Sequence, residues 1–261
     1  MIPFKHKTSK LKKRLKKKEL TIGSWLTIPH RSIVEIYAKS GFEWLVIDLE
    51  HSPIGIEQTA ELIAHIQGNG MQALVRVNKN QEVIIKSVLD AGADGIVVPM
   101  IKNKKEAENT VSYSYYPPTG KRGVGLNRAQ HYGEGFESYK KWLEENVVII
   151  AQIEHIEAIN NLEEILSVEG IDGTIIGPYD LSASMGFPGD YNRPDVKEAL
   201  NYYKSKVINS NKPLGYHVIE SEASFSIKKI QEGFTFIAFS IDFFFLGDRA
   251  KSELKKLKNI K

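Results

Sequence analysis

Short apolar runs recur along the chain, and each is followed by a polar loop and then a stretch with helical spacing. Most of these runs are continuous rather than alternating, which is typical of strands buried on both faces. The intervening stretches, such as residues 58–68 and 195–210, end at glycine or at an Asn-Lys-Pro stop, as helices do. Eight runs fit this description: Ile22–Ile28, Trp44–Leu49, Ala73–Val77, Gly95–Met100, Val147–Ile153, Gly173–Ile176, Leu214–Ile219 and Phe234–Ile241.

Strands that alternate with helices indicate a parallel sheet with right-handed crossovers. Eight such units in about 240 residues favour a closed barrel over an open doubly wound sheet. We therefore expect a single-domain (β/α)8 TIM barrel over residues 21–261, preceded by a basic segment over residues 1–20. Residues 113–135 are rich in Gly, Pro and Tyr, and we expect this long excursion to cross the barrel mouth.

The chain of 261 residues contains no cysteine, which excludes disulfides, thiolate metal sites and cysteine nucleophiles. That composition is typical of a reducing compartment, and we expect a cytoplasmic protein. No apolar run approaches the roughly 20 residues that cross a bilayer. We therefore expect no membrane partner.

The positive charge is concentrated at the start, because residues 1–20 hold nine Lys or Arg and one Glu. Such a segment could contact nucleic acid or an anionic membrane. It could also form a solvated first helix with a thin apolar face of Leu11, Leu15 and Leu20. The second interpretation is favoured, so we expect no nucleic-acid partner.

Reactive residues cluster after the predicted strands, where the chemistry of a parallel barrel is located. Glu154 and Asp180 follow neighbouring strands, and two carboxylates with open positions suit Mg²⁺ or Mn²⁺. The alternative is a pair of solvated or salt-bridged acids. Arg76 ends an apolar strand and needs an anion, either a substrate oxygen or the carboxylates of Asp48 and Glu50.

His51 follows two acids and can move a proton near neutral pH if a carboxylate orients it. Asp90 is a candidate for that orienting partner, although by itself it is an ordinary acid at a helix end. The turn from Gly177 to Ser182 leads from a strand into a helix, whose first N–H groups can bind a carboxylate.

The chain resembles the metal-dependent (class II) pyruvate aldolases typified by 2,4-dihydroxyhept-2-ene-1,7-dioate aldolase and 2-dehydro-3-deoxyglucarate aldolase. The likeness extends from about Gly23 to Asp242 and rests on ordered blocks rather than on any one motif. The matching blocks are Val46–Pro53, Val75–Val77, Leu89–Ala93, Val97–Met100, Tyr116–Gly125, Gln152–Glu154 and Ile175–Ser182.

This resemblance implies that Glu154 and Asp180 ligate Mg²⁺, Mn²⁺ or Co²⁺, with Gln152 close to the metal. Pyruvate would bind that metal through its keto and carboxylate oxygens. Its carboxylate would also meet the backbone around Gly177, Pro178 and Asp180.

The resemblance also assigns the remaining roles. Arg76 would stabilise the enolate oxygen, and His51, steered by Asp90, would act through a water as acid and base on the aldol hydroxyl. Asp48 and Glu50 would support these groups. The implied reaction is the reversible cleavage of a 4-hydroxy-2-oxo acid to pyruvate and an aldehyde. No lysine follows strands five or six, which disfavours a Schiff base.

Two features bear on the substrate and the assembly. His217 stands in strand seven where relatives commonly carry small aliphatic residues, and it could make the aldehyde side of the pocket more polar; the alternative is a packed or solvent-facing histidine. Family likeness implies a homotrimer or homohexamer, with Phe243–Leu246 as a packing surface. The alternatives are a citrate-lyase-like or malyl-CoA-lyase-like enzyme acting on acyl-CoA, and a non-enzymatic protein that binds RNA or a membrane through residues 1–20.

Overall fold

Eight parallel strands form a closed barrel in the computed structural model, which describes residues 10–260. Each strand pairs with the next along the chain, and the last pairs with the first, so the predicted (β/α)8 barrel is confirmed. The strands are β1 Thr21–Leu26, β2 Trp44–Asp48, β3 Gln72–Arg76, β4 Gly95–Val98, β5 Val148–Ile153, β6 Gly173–Ile176, β7 Leu214–Val218 and β8 Phe236–Ile241.

Helices surround the barrel and precede it. They are α1 Lys10–Lys16, α2 Arg31–Ser40, α3 Ile56–Gly68, α4 Glu82–Asp90, α5 Lys104–Ser114, α6 Phe136–Asn146, α7 Ile156–Asn160, α8 Leu162–Ser167, α9 Pro178–Ser184, α10 Pro194–Ile208, α11 Ala223–Gln231 and α12 Asp242–Lys258, with a 3-10 helix at Arg128–Gly133. Within residues 10–260, no helix is long and apolar enough to cross a membrane.

The barrel interior is filled by large side chains opposite small ones. Trp44 stacks on Phe236 with ring centroids 4.3 Å apart. The ring of Trp44 occupies the space beside Gly23, where a Cβ atom would lie 2.1 Å from it, so only glycine fits there. Leu11 and Leu15 of α1 belong to the same interior cluster. Helix α1 therefore closes the end of the barrel opposite the mouth.

Basic residues near the start of the chain bind the closed end of the barrel. Lys12 is buried, and its Nζ lies 2.7 Å from the carbonyl oxygen of Val147 and 3.0 Å from a carboxylate oxygen of Asp172. Lys18 donates to backbone carbonyls at the end of α10. Leu20, by contrast, is 37% exposed. We infer that residues 10–20 of the predicted basic segment are part of the barrel's structure; residues 1–9 of that segment lie outside the described residues.

The prediction that residues 113–135 cross the mouth was wrong. Helix α5 intervenes and carries the chain from the mouth to the opposite end before the excursion begins. There, Arg128 donates to the carbonyl oxygen of Ala91 at the end of α4. The sequence signal for α5 was weak because Lys104–Ser114 is mostly polar, so the excursion was placed at the wrong end of the barrel.

The role of Lys12 predicts a large loss of stability on truncation. Lys12→Ala leaves the buried carboxylate of Asp172 without its cation, and the free energy of unfolding should fall by about 3 kcal/mol. Lys13→Ala, at an exposed position of the same helix, should change it by less than about 0.5 kcal/mol. Urea unfolding of the two variants measures the difference, and equal stability would contradict the proposed closure by α1.

Candidate active site

The ends of β2 and β3 bring a buried ion pair to the barrel mouth. Asp48 and Arg76 are partners in the strand register, 3% and 8% exposed. Nε of Arg76 donates to Oδ1 of Asp48 at 2.9 Å, and Nη2 donates to Oδ2 at 2.7 Å. Nη1 lies 3.2 Å from Oε2 of Glu50. The guanidinium is therefore fixed along one edge by a two-pronged contact with a carboxylate.

Asp48 also organises the turn that follows β2. Its Oδ1 accepts hydrogen bonds from the backbone N–H groups of Glu50 at 3.0 Å and His51 at 3.3 Å. Burial acts to raise the pKa of Asp48, but its hydrogen bonds to Arg76 and the charge of that residue outweigh burial, so the pKa lies below its ordinary value. The ionised carboxylate of Asp48 thus holds Arg76, Glu50 and His51 in one arrangement.

Glu154 lies at the end of β5 with both carboxylate oxygens held. Oε1 accepts from the backbone N–H of Met100 at 2.7 Å, and Oε2 accepts from the side-chain amide of Gln152. Met100 reaches Glu154 from a left-handed backbone conformation, with φ of 54°. The other amide atom of Gln152, Oε1, is buried and has no hydrogen-bond partner among residues 10–260.

The turn after β6 lies directly against Glu154. The backbone N–H of Gly177 donates to the carbonyl oxygen of Ile153 at 2.9 Å, which extends the β5–β6 pairing. A Cβ atom at Gly177 would lie 3.0 Å from Oε2 of Glu154. Pro178 occupies the first turn of α9, and Asp180 follows it, exposed at the mouth. The absence of a side chain at Gly177 therefore allows Glu154 to pack closely against this turn.

Negative charge is in excess at the mouth. Burial raises the pKa of Glu50 to about 7; the charge of Arg76 opposes the increase, while Glu154, Asp48 and Asp180 add to it. Burial also raises the pKa of Glu154, and the charge of Asp180 contributes in the same direction. Four carboxylates therefore lie close to one guanidinium, that of Arg76, in this region. They are the carboxylates of Asp48, Glu50, Glu154 and Asp180.

The donor set fits a divalent cation. Within the described range, no group of three or more His, Cys, Asp or Glu residues forms a complete protein ligand set. Glu154, Asp180 and the unpaired amide oxygen of Gln152 instead offer hard oxygen donors and leave positions for water or a substrate. Mg²⁺ and Mn²⁺ prefer such sites, and a cation would offset the excess of negative charge.

The structure does not bring His51 and Asp90 together within one chain. His51 is at the mouth, with a side chain 69% exposed and Nε2 at 3.9 Å from Oε2 of Glu50. Asp90 ends α4, which runs from the mouth to the opposite end, and there it accepts a hydrogen bond from the buried Arg122. Within one chain α4 separates the two residues, so the orientation of His51 by Asp90 stays a prediction that involves a second copy of the chain.

Two further residues at the mouth, Trp25 and His217, form a contact that the sequence did not predict. Trp25 of β1 lies with its ring centroid 4.9 Å from Cζ of Arg76, and its indole N–H donates to Nδ1 of His217. The resemblance to known aldolases gave no role to Trp25. Its only signal was a tryptophan in an interior strand position, which is equally typical of core packing.

Comparison with known proteins identifies relatives over nearly the whole chain. The model of the HpcH/HpaI aldolase/citrate lyase family matches residues 21–246. The chain is 34% identical to the 2-keto-3-deoxy-L-rhamnonate aldolase of Escherichia coli (strain K12) over 250 residues, which cover 95% of this chain and 92% of that protein.

Solved structures with the same fold superpose on nearly the whole chain. An HpcH/HpaI aldolase/citrate lyase family protein from Burkholderia cenocepacia J2315 superposes with a TM-score of 0.91 at 28% identity, covering 97% of this chain and all of that chain. The HpcH/HpaI aldolase from Desulfitobacterium hafniense DCB-2 gives 0.88 at 26% identity, covering 96% and 97% of the two chains.

The close approach at Gly177 predicts that a single methyl group disturbs the metal site. Gly177→Ala should displace the carboxylate of Glu154 and weaken Mn²⁺ binding about tenfold or more, as losses next to metal ligands do. Gly68→Ala is the control, because a Cβ atom there meets no atom within 4 Å. Titration of free Mn²⁺ by electron paramagnetic resonance measures both variants; equal affinities would refute the assigned position of the site.

Proposed function

Since the chain belongs to the HpcH/HpaI aldolase/citrate lyase family, we propose that it is a metal-dependent aldolase that reversibly cleaves a 4-hydroxy-2-oxo acid to pyruvate and an aldehyde. The observation that carries this proposal is the fixed guanidinium of Arg76 in the same mouth as the carboxylates of Glu154 and Asp180. Cleavage leaves negative charge on the pyruvate half, and this arrangement supplies positive charge to meet it.

Glu154 and Asp180 would hold the divalent cation, Mg²⁺, Mn²⁺ or Co²⁺, with the free amide oxygen of Gln152 close by. When bound, the cation supplies Lewis-acid chemistry that polarises a carbonyl group. The turn at Gly177 and Pro178 lies directly against Glu154, so the first N–H groups of α9 could bind the carboxylate of a substrate beside the cation. Asp180 completes the same wall from the first turn of α9.

Arg76 binds the oxygen on which the enolate charge develops. Its Nε and Nη2 are occupied by Asp48, so the orientation of the planar group is set before the substrate arrives. Burial acts to lower the pKa of Arg76, but its hydrogen bonds to Asp48 and the negative charges of neighbouring carboxylates outweigh burial and raise the pKa above its ordinary value, so Arg76 stays cationic. A preoriented cation of this kind stabilises the transition state without reorganisation.

His51 exchanges the proton of the substrate hydroxyl from the rim of the mouth. It lies on the turn fixed by Asp48, and its exposed ring leaves space for a water between it and the substrate. Within one chain its nearest carboxylate is that of Glu50, at 3.9 Å. Orientation by Asp90 would require Asp90 of a second copy of the chain, since α4 separates the two residues within one copy.

A homo-oligomer, a trimer or hexamer, is part of this proposal. The last helix, α12, carries exposed apolar residues at helical spacing that no described element covers: Phe243, Leu246, Leu254 and Leu257 are 45–65% exposed. Exposed Val124 and Leu126 lie in the loop beside Asp90. Apolar surfaces of this kind mark contacts between proteins.

The relatives narrow the substrate class. A 2-keto-3-deoxy sugar acid, which the Escherichia coli relative is named for, has a 2-oxo group, no hydroxyl at carbon 3 and a hydroxyl at carbon 4. It is therefore a 4-hydroxy-2-oxo acid of the class proposed here. We propose a 2-keto-3-deoxy sugar acid as the substrate of this chain as well.

Proton exchange of pyruvate tests the reaction before the aldehyde is known. In D2O with Mg²⁺, the purified protein should remove the methyl signal of pyruvate from the proton NMR spectrum, and EDTA should stop the loss. Arg76→Ala should slow the exchange by about 100-fold or more, because it removes an oxyanion-stabilising donor. Lys141→Ala, an exposed cation on α6, should leave the rate unchanged.

Two results would overturn the proposal. Exchange that continues in EDTA, or that proceeds at the wild-type rate in Arg76→Ala, would exclude the assigned site. No exchange with any of the three metals, even with trial aldehydes present, would sink the pyruvate assignment; acetyl-CoA would then be the probe for a citrate-lyase-like reaction.

A further inference from the structure

A histidine and a tryptophan meet inside the barrel mouth. His217 is on β7 and Trp25 on β1, so the two side chains meet across the intervening strand β8. Their rings are perpendicular, with centroids 4.9 Å apart and an interplanar angle of 86°. The indole N–H of Trp25 donates a hydrogen bond to Nδ1 of His217. Trp25 is only 2% exposed, so this hydrogen bond satisfies a buried donor.

The hydrogen bond defines the state of the imidazole. Nδ1 can accept from Trp25 only if it carries a lone pair, so the ring is neutral and its proton is on Nε2. The surroundings favour the same state: burial and the nearby charge of Arg76 lower the pKa of His217 to about 3, and the carbonyl of Ser240 offsets this only in part. His217 is therefore a fixed acceptor, whereas a protonated ring would lose its bond to Trp25.

Trp25 also contacts the guanidinium of Arg76. Cζ of Arg76 lies 4.9 Å from the centroid of the indole ring, within cation–π range. Asp48 holds one edge of the guanidinium through two hydrogen bonds, and Glu50 lies 3.2 Å from Nη1; the indole ring of Trp25 adds a further restraint against tilting of the planar group. A chain of contacts thus connects His217 to Arg76 through the indole ring of Trp25.

We propose that His217 is a positioning residue for Arg76: by accepting the indole N–H, it holds the ring of Trp25 against the guanidinium that faces the substrate. This inference rests on the proposed function, because it takes Arg76 as the group that meets the enolate oxygen. It assigns the histidine of β7 neither to proton transfer nor to core packing alone. An aliphatic residue at position 217 would fill similar space but leave the indole N–H unpaired.

Three variants separate the acceptor from the bulk of the side chain. His217→Leu removes the acceptor and keeps an apolar side chain of moderate size. His217→Asn places an amide oxygen where Nδ1 stands and restores the acceptor. Trp25→Phe removes the donor and keeps a flat ring. Wild-type and variant proteins are compared in metal-dependent exchange of the pyruvate methyl protons, with melting temperatures to establish that each variant is folded.

His217→Leu should lower kcat for exchange about tenfold, the effect of one lost buried hydrogen bond, with KM for pyruvate nearly unchanged. His217→Asn should recover kcat to within about threefold of wild type if the acceptor alone matters. Combining His217→Leu with Trp25→Phe should cost no more than the larger single effect, because both break one interaction. A purely structural role would instead lower stability and leave kcat per folded protein unchanged.

An NMR measurement keeps the inference testable if pyruvate proves to be the wrong substrate. The chain has three tryptophans, and Trp25→Phe identifies the indole N–H signal of Trp25. That signal and the Nε–H signal of Arg76 should both shift in folded His217→Leu and return toward wild type in His217→Asn. Unchanged Arg76 signals in His217→Leu, or an unchanged kcat where wild type is active, would overturn the positioning role. Absence of exchange by wild type with these shifts present would count against the proposed function alone.

Discussion

Four carboxylates share the mouth of the barrel with one guanidinium, and this imbalance of charge governs how the site is built. Closure of the barrel imposes the proximity, because the ends of β2, β3, β5 and β6 all lie at the same rim. Arg76 compensates Asp48 through two hydrogen bonds and also forms an ion pair with Glu50 at 3.2 Å. Burial raises the pKa values of Glu50 and Glu154, neighbouring carboxylates raise them further, and the charge of Arg76 offsets this only in part. A bound divalent cation would reduce the repulsion between these carboxylates. A basic side chain could do the same, but it would occupy the space that the substrate needs.

The two ends of the barrel handle charge in opposite ways. At the closed end, Lys12 meets Asp172, and Lys212 donates to the carbonyl oxygens of Val168 and Ile171. Cations there satisfy carbonyl groups at the C-terminal ends of helices and in the loops that follow them, where positive charge is favourable. At the mouth, Arg76 is the cation that contacts Asp48 and Glu50, and Oε1 of Gln152 has no hydrogen-bond partner within residues 10–260. The closed end therefore contributes stability, while the mouth retains the unmet negative charge that metal and substrate binding require.

Much of this arrangement follows from the sequence because strand order fixes position in a parallel barrel. Continuous runs such as Trp44–Leu49 and Val147–Ile153 predicted strands buried on both faces, and residues at their ends then had to meet at one rim. Asp48, Arg76 and Glu154 were found in this way. The position of Asp90 was not, because it depends on the direction and length of α4 rather than on a strand end.

The pattern of apolar and polar residues does not predict contacts that depend on side-chain packing. His217 meets Trp25 across β8, and the register pairs His217 with Ala238, the small residue of the strand between them. Nothing in the spacing of the apolar runs specifies that contact. The close approach of Gly177 to Glu154 is similar, since a glycine in a strand-to-helix turn is common for several reasons. The sequence pattern therefore predicts which residues lie at the mouth, and side-chain packing decides how each of them is oriented.

The charge imbalance itself is tested most directly by calorimetric melting of wild type and Glu154→Gln, with and without Mg²⁺. Mg²⁺ at a hundredfold excess over its Kd should stabilise wild type by about 2.7 kcal/mol and raise its Tm by several degrees. Glu154→Gln, which removes one of the crowded charges, should melt at or above the wild-type temperature without metal and should not respond to Mg²⁺. A variant that melts well below wild type without metal, yet gains the same increase from Mg²⁺, would contradict this account of the barrel mouth.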